Sequence, residues 1–535
     1  MNRYDVAIIG GGFAGSILAR TLVAQGRRVV LFDRETHPRF ALGESTTPLA
    51  NFALERLARR YDLPDLHQLA THGRWMEHHP GLRRGLKRGF TFYRHRPEET
   101  FSNSSANEHR LLVAASPEDR LADTHWLRQD VDHFLLERAR DEGVEVHEAT
   151  EIVAVEPTDG DWQRGHGQRA QTGQRLITST GDSWTVDAVV DGSGPSGVMS
   201  RSQGLKRVDL PFDTALLFCH LRTEHPAAPL AEAATDAVLP PGPYPDPRAA
   251  VHHLLAEGWI YELPFDHGLV SVGAVLRRDA AEDLLDTARR DPEAAWGQLM
   301  SRYPSLERHF AATTSDRPWA YVERLAYRLD RPMGRGWFLL PHTFGFCDPL
   351  FSTGIAWSLA AVERLAVMLT DPHSDPRLYE RCLQAEMRQI EALIDAAYTA
   401  MDDFDLFVDV CRLYFVTVSF AEASQRLQDP ATVPPTQVWE GLLGATDGRF
   451  RRLFEKTRSQ IHDMMEHGQP SSDARDAFHT WLFERLELFD IAGFGDTTRR
   501  NLYPVDLDIL VERAHLLGLS QREIQAALPR LLGEA

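Results

Sequence analysis

The chain has 535 residues, and since single hydrophobic cores stop growing at roughly 250–300 residues it is long enough to hold several. Hydrophobic residues make up 43% and charged residues 25%, a globular balance that excludes wholesale disorder and a fibre. A formal net charge of −19 repels nucleic-acid backbones and anionic membranes, and the one basic cluster, Arg83, Arg84, Lys87 and Arg88, is too small to reverse that, so neither partner is expected.

In chain order, Tyr4–Ile9 reads as a buried strand, residues 15–24 as an apolar-faced helix and residues 28–32 as a second strand. Between the first strand and the helix stand Gly10, Gly12 and Gly15, the G-x-G-x-x-G spacing of a dinucleotide turn, and Asp33 closes the second strand. Each residue type has a reason: the first glycine allows the tight turn, the second admits the pyrophosphate, and the third lets helix and strand pack closely. Amides at the helix N-terminus meet the phosphate charge, and Asp33 is placed for the ribose hydroxyls. Phe13 and Ala14 within the turn and Arg34 beside Asp33 complete this expected cofactor set.

Residues 49–60 and Arg128–Asp141 have helical periods, and residues 144–155 alternate like one strand. Residues 160–173 and 224–247 lack an apolar period and are expected as loops or insertions. A second glycine cluster, Gly192 to Gly197, follows a strand at residues 186–190, but Pro195 removes an amide and the following segment is short and polar. It is expected as a turn near the same cofactor, so electrons come from elsewhere. From Pro376 onward helical periods dominate, which divides the chain into an α/β core at 1–375 and a helical C-terminal region at 376–535.

The cysteines, Cys219, Cys347, Cys382 and Cys411, lie apart without CxxC spacing, which argues against a disulfide framework or a zinc site and for a reducing cytoplasm. No signal peptide or stretch of about 18 apolar residues is evident, so neither secretion nor membrane spanning is expected. The adjacent pairs His78-His79 and His252-His253 point their side chains to different sides in a helix or strand, so no metal site is expected there. No G-x-S-x-G elbow occurs.

Several stretches taken together resemble the flavin-dependent halogenases, a branch of the p-hydroxybenzoate-hydroxylase-like FAD superfamily, and among them the PltM-like phenol halogenases. They are His37-Pro38-Arg39-Phe40 with Gly43-Glu44-Ser45-Thr46-Thr47-Pro48, Leu86-Lys87-Arg88-Gly89-Phe90-Thr91-Phe92, Trp126-Leu127-Arg128-Gln129-Asp130, Gly258-Trp259-Ile260-Tyr261-Glu262-Leu263-Pro264-Phe265, and Gly345-Phe346-Cys347-Asp348-Pro349-Leu350-Phe351-Ser352-Thr353-Gly354. The resemblance covers roughly residues 1–370. It implies an FAD-binding Rossmann-like α/β fold with a mixed-sheet substrate domain and a helical C-terminal region.

It also implies that Gly43, Glu44, Ser45, Thr46, Arg128, Asp348, Gly354 and Ile355 border FAD, that the amides around Thr353 and Gly354 hold halide, and that Trp259, Tyr261, Pro264, Phe90 and Phe351 line the substrate pocket. Lys87 matches the family's catalytic lysine. Reduced FAD from a separate flavin reductase, with O2, would oxidise chloride or bromide to hypohalous acid, and a buried lysine suits its delivery because burial lowers the ammonium pKa and frees the amine. Without the family, Lys87 would read as part of a solvated basic loop.

Phe351 stands where tryptophan halogenases carry a glutamate, which agrees with a small phenol that its own oxygen activates. The departure is Tyr261, in place of the second tryptophan of the family's W-x-W-x-I-P, with Leu263 for its isoleucine. That exchange keeps a flavin monooxygenase or reductase of the same superfamily open as an alternative, with a non-catalytic flavoprotein as a third reading.

Overall fold

The computed structural model of the protein describes residues 4–158, 162–163, 169–170, 173–223, 241–427, 438–466 and 468–531. The strand Tyr4–Ile9 pairs in parallel with Val29–Phe32 on one side and with Ser183–Asp191 on the other. The sheet they belong to runs Met333–Gly334, Trp337–Leu339, Ser183–Asp191, Tyr4–Ile9, Val29–Phe32, Glu145–His147. Continuous apolar runs are what strands covered on both faces require. The helices Phe13–Val23, Arg128–Asp141 and Thr353–Met368 share the core that these strands form. Phe13–Val23 begins earlier than its apolar period implied, because the extended Gly12 (φ −69, ψ 174) takes the cap position.

The expected single strand at 144–155 is instead two strands, Glu145–His147 and Ile152–Thr158, which pair with different partners. The chain breaks at Ala149, whose φ is +50. There Ala149 N donates to Glu35 O (3.3 Å) and Thr150 N to Asp33 O (2.9 Å), so backbone bonds to the end of the acid-bearing strand outweigh local strand propensity.

A second sheet orders Thr314–Ser315, Thr214–Arg222, Leu269–Arg277, Gly258–Pro264, Ala250–Leu255, Gly89–Arg94, Arg110–Ala114 and Leu502–Tyr503, with Ala320–Val322 beside Thr214–Arg222. Side chains alternate across it. Phe90, Phe92, Trp259 and Tyr261 join the main core, while Val251, Ile260 and Val272 form a second core under the helices Glu282–Ala288, Pro292–Met300 and Pro304–Phe310.

Beyond Pro376 lie the long helices Pro376–Ala400, Phe404–Leu427, Gly448–Met465 and Ser472–Leu486. Among the described residues Leu502–Tyr503 is the one strand there, held by the Arg412 guanidinium donating to Tyr503 Oη at 2.7 Å. Their buried residues continue the core that starts at Tyr4. Of the expected loops, most of 160–173 and residues 224–240 lie outside the described residues. Trp162–Gln163 pairs with Arg169–Ala170, Gly173 opens the strand Gly173–Thr178, and residues 241–247 hold neither helix nor strand.

Candidate active site

The glycine turn is built by close backbone approach. Gly10 has φ +108, and a Cβ on it would stand 2.4 Å from Gly192 O; one on Gly15 would stand 2.1 Å from Gly10 O. The second glycine cluster therefore braces this turn, and the helix after it, Val198–Gln203, has 6 residues. No side chain caps the start of Phe13–Val23. Asp33 accepts from Gly11 N at 2.8 Å and from Arg39 Nη2 at 3.1 Å. An uncapped helix N-terminus, glycines with no room for side chains and an acid at the strand end fit an adenine dinucleotide.

Arg128 ties this turn to the segment from Gly43 to Pro48. Its guanidinium forks onto Asp132 (2.8 Å twice), donates to Leu42 O (2.6 Å) and Gly43 O (3.1 Å), and lies 4.7 Å over the Phe13 ring. Asp132 in turn accepts from Phe13 N at 3.2 Å. Glu44 is buried against His220 at 3.0 Å, and Ser45 meets Ser352 Oγ at 3.2 Å. Ala14 and Ile355 are buried in the same region. Arg34 is not drawn in: its side chain is 57% exposed, beside Glu35.

Lys87 ends the strand Arg84–Lys87, opposite Asp123 on Asp123–Trp126. It is 0% exposed. Its ammonium donates to Thr46 O at 2.6 Å and sits 4.0 Å from the Phe90 ring centroid. Burial drives its pKa down, against the opposing pull of Asp123, whose own carboxyl burial pushes up; Asn51 Nδ2 donates to that carboxyl at 2.7 Å. The basic cluster is thus no patch, since Arg83 pairs with Asp130 and Arg88 with Asp119, each at 2.7 Å, and Arg84 is buried.

The strand Gly258–Pro264 turns Trp259 and Tyr261 inward. Tyr261 fills the space over Gly273, where a Cβ would come within 2.4 Å of its ring, and Pro264 O lies 2.0 Å from where a Cβ on Gly85 would be. The aromatic strand therefore abuts the strand of Lys87. Trp259 Nε1 donates to Tyr398 Oη (3.1 Å), and that hydroxyl donates to Asp348 Oδ2 (2.7 Å). Asp348, whose Oδ1 accepts from Leu350 N at 2.9 Å, is pushed up to about 7 by burial, opposed by the Tyr398 hydrogen bond. Both its oxygens are engaged within the protein.

After Asp348 the chain enters the helix Thr353–Met368 through Ser352, left-handed at φ +51 and offering no side-chain cap. Thr353 and Gly354 open that helix, so its first amides face the junction with Ser45. A Cβ on Gly354 would stand 2.8 Å from His342 Nε2. His342 is held down at about 4 by burial and then by Arg128, a neutral imidazole beside the helix start. Phe351 packs on Tyr414 at 4.6 Å, and Tyr414 Oη donates to Phe351 O at 2.9 Å.

Next to Phe90 and Thr47 is a cavity of about 170 Å³, closed on its far side by Tyr414, Phe415, Glu422, Arg426, Phe494 and Val505. Burial raises the Glu422 carboxyl, against Arg426 at 2.8 Å. A second cavity, about 280 Å³ between Pro376–Ala400 and Gly448–Met465, shares no lining residue with it. Sequence reasoning missed the whole far wall, as well as His342 and Tyr398. Their signals are ordinary helical periodicity and an isolated histidine, neither of which marks a site.

A family model described as tryptophan halogenase matches residues 121–422, more than half of the 535 residues. The chain belongs to the tryptophan halogenase family. A model of the NAD(P)-binding Rossmann-like domain matches residues 8–65 of this halogenase. Among its curated relatives, monodechloroaminopyrrolnitrin halogenase PrnC of Pseudomonas fluorescens is 24% identical over 520 residues, 92% of this chain and 87% of its own. Tetracycline 7-halogenase of Kitasatospora aureofaciens is 27% identical over 435 residues, 77% of this chain and 72% of its own. The crystal structure of halogenase PltM with phloroglucinol and FAD matches with a TM-score of 0.81 at 24% identity, over 93% of this chain and 99% of that one. As a flavin-dependent halogenase the protein is an FAD-binding enzyme of the oxidoreductase kind, and its family acts on small aromatic molecules.

Proposed function

We propose that this halogenase places chlorine or bromine on a small phenol, with Lys87 guiding hypohalous acid to the ring. The observation that carries the reading is the position of one amine: Lys87 Nζ is buried, bonded to Thr46 O (2.6 Å) on the flavin-side segment and 4.0 Å from Phe90, a wall of the apolar cavity. Reduced FAD, when bound with O2, supplies the oxidation of halide to hypohalous acid. Gly10, Gly12, Phe13, Ala14, Gly15 and Asp33 would hold its pyrophosphate and ribose, and Gly43 to Thr46, Arg128, Gly354 and Ile355 would border its flavin end, with Asp348, both oxygens bonded to Tyr398 and Leu350, bracing that segment from behind.

The first amides of Thr353–Met368, at Thr353 and Gly354, would hold halide, and the neutral His342 leaves that anion free of a competing ion pair. Lys87 then donates a hydrogen bond to the hypohalous oxygen, or its free amine takes the halogen as the oxygen–halogen bond breaks and the hydroxyl leaves as water with the amine proton. Trp259, Tyr261 and Pro264 exclude water and substrate from the flavin side, while Phe90 bounds the aromatic slot and Phe351 backs its Tyr414 wall. Phe351 packs on Tyr414 and brings no carboxylate, which suits a ring activated by its own oxygen.

On this reading residues 1–375 carry the cofactor and halide chemistry and residues 376–535 shape the substrate slot. Electrons come from a separate flavin reductase, since the second glycine cluster is spent on bracing Gly10. The four cysteines are free and buried, which suits a reducing cytoplasm. No helix among the described residues is long and apolar enough to cross a membrane. The test is mass spectrometry of a phenol panel incubated with a generic flavin reductase, FAD, NADH and bromide. Products with the bromine isotope pair support the reading, and hydroxylated products alone would replace it with monooxygenation.

A further inference from the structure

On the face of the second sheet away from Trp259, three side chains from three elements converge. His253 lies on the strand Ala250–Leu255, Glu262 on Gly258–Pro264 and His309 on the helix Pro304–Phe310. The adjacent His252 and His253 do point to opposite faces: His252 stacks on Phe92 at 4.5 Å, and His253 stacks on Tyr93 at 5.7 Å. His253 finds its partners elsewhere in the chain. Glu262 Oε2 is 2.9 Å from His309 Nε2 and 3.5 Å from His253 Nε2, and one ligand atom from each residue lies within 4.8 Å of the others.

We infer that His253, Glu262 and His309 form a binding site for a divalent transition metal ion, with zinc the cation they fit best. Two imidazole nitrogens and one carboxylate oxygen are a zinc donor set, and three protein ligands leave a fourth position for water. Bonds of about 2.0–2.1 Å in a tetrahedron give ligand-to-ligand edges of about 3.3–3.4 Å. The two edges from Glu262, 2.9 and 3.5 Å, straddle that length, and all three ligand atoms lie within 4.8 Å of one another, so the ion is accommodated once the two imidazoles close on it.

The support behind the ligands agrees. His253 Nδ1 lies 3.1 Å from His95 Nε2, so the ring is oriented by its far nitrogen, as imidazoles that ligate metals are. Two of the ligands sit on adjacent strands whose register (Val251 opposite Glu262, His253 opposite Ile260) makes them diagonal neighbours. Access is open but narrow: His253 has a wholly buried side chain, while those of Glu262 and His309 are 13% and 9% exposed. The ion would clamp Pro304–Phe310 onto the strand whose other face carries Trp259 and Tyr261. The site takes no part in the halogenation chemistry, and the inference stands independently of it.

The competing arrangement is a proton-held ion pair, with Glu262 accepting from both imidazoles. The test uses the full-length protein, stripped with chelator and titrated with zinc chloride alone by calorimetry, and separately with cobalt(II) while the visible spectrum is read. The expected result is one tight equivalent per chain and intense tetrahedral cobalt bands, with affinity reduced at least 100-fold in His309→Ala and in Glu262→Gln while flavin binding is retained. If His309→Ala fails to fold, His309→Gln and the wild-type cobalt spectrum decide. Wild-type protein that takes up no more zinc than the variants, or cobalt bands of octahedral intensity only, would leave a proton-held pair and overturn the inference.

Discussion

Replacing Tyr398 by phenylalanine removes one oxygen on which two buried groups depend. Trp259 Nε1 loses its acceptor at 3.1 Å and Asp348 Oδ2 its donor at 2.7 Å, while ring packing is preserved and no cavity opens. Each buried polar group left unpaired costs about 1–3 kcal/mol. Asp348 sheds part of that cost because it keeps the Leu350 amide and can hold a proton, so the expected loss is about 2–4 kcal/mol.

The pH dependence gives this prediction its signature. Burial raises the Asp348 carboxyl to about 7, whereas in the unfolded chain it titrates near ~3.9. The folded protein therefore keeps a proton that the unfolded chain releases, and stability falls as pH rises from about 4 to about 7, then levels. The Tyr398 hydroxyl favours the charged form. Without it the folded pKa moves higher, and the fall continues above neutrality at about 1.4 kcal/mol per pH unit until the new pKa is passed. Urea unfolding of the FAD-saturated wild type and Tyr398→Phe, on both sides of neutrality, measures this directly. A penalty that is larger on the alkaline side is expected; one under about 1 kcal/mol, or equal on both sides, refutes the network.

Gly10→Ala sets a Cβ 2.4 Å from Gly192 O on backbone at φ +108, so FAD should be lost during gel filtration, as read by flavin absorbance. Gly354→Ala places a Cβ 2.8 Å from His342 Nε2 at the helix start. It should raise the KM for halide about tenfold, the equivalent of about 1.4 kcal/mol, as read by a halide titration at saturating FAD. Phe415→Trp adds bulk to a cavity of about 170 Å³, so kcat/KM should fall for substituted phenols and change little for unsubstituted ones.

What the sequence shows is local, and what it hides is assembled from afar. The turn from Gly10 to Gly15 and the helix Arg128–Asp141 are legible because spacing and period encode them within a few residues. Residues 144–155 mislead because the break at Ala149 is set by backbone bonds to Asp33 and Glu35, more than a hundred positions earlier. Lys87 and Thr353 to Gly354 stand out through their immediate neighbours. Tyr398, Tyr414 and Glu422 do not, because helices that read as plain amphipathic segments carry them to the site. The histidine pair shows the same limit: adjacency does separate His252 from His253, but the partners of His253 come from the next strand and a later helix.

In the proposed function the buried amine of Lys87 guides the oxidising halogen to the aromatic ring. Lys87→Met keeps the length of the side chain and removes the amine, and the Asp123 carboxyl, already raised by burial and then freed of the lysine's opposing pull, can take up a proton. Single turnover of this variant with prereduced FAD, O2, bromide and a simple phenol tests the claim. Bromophenol should fall by about 10²–10⁴-fold while FAD binding is kept and the oxidant escapes to solvent. A wild-type yield of bromophenol from Lys87→Met would contradict it.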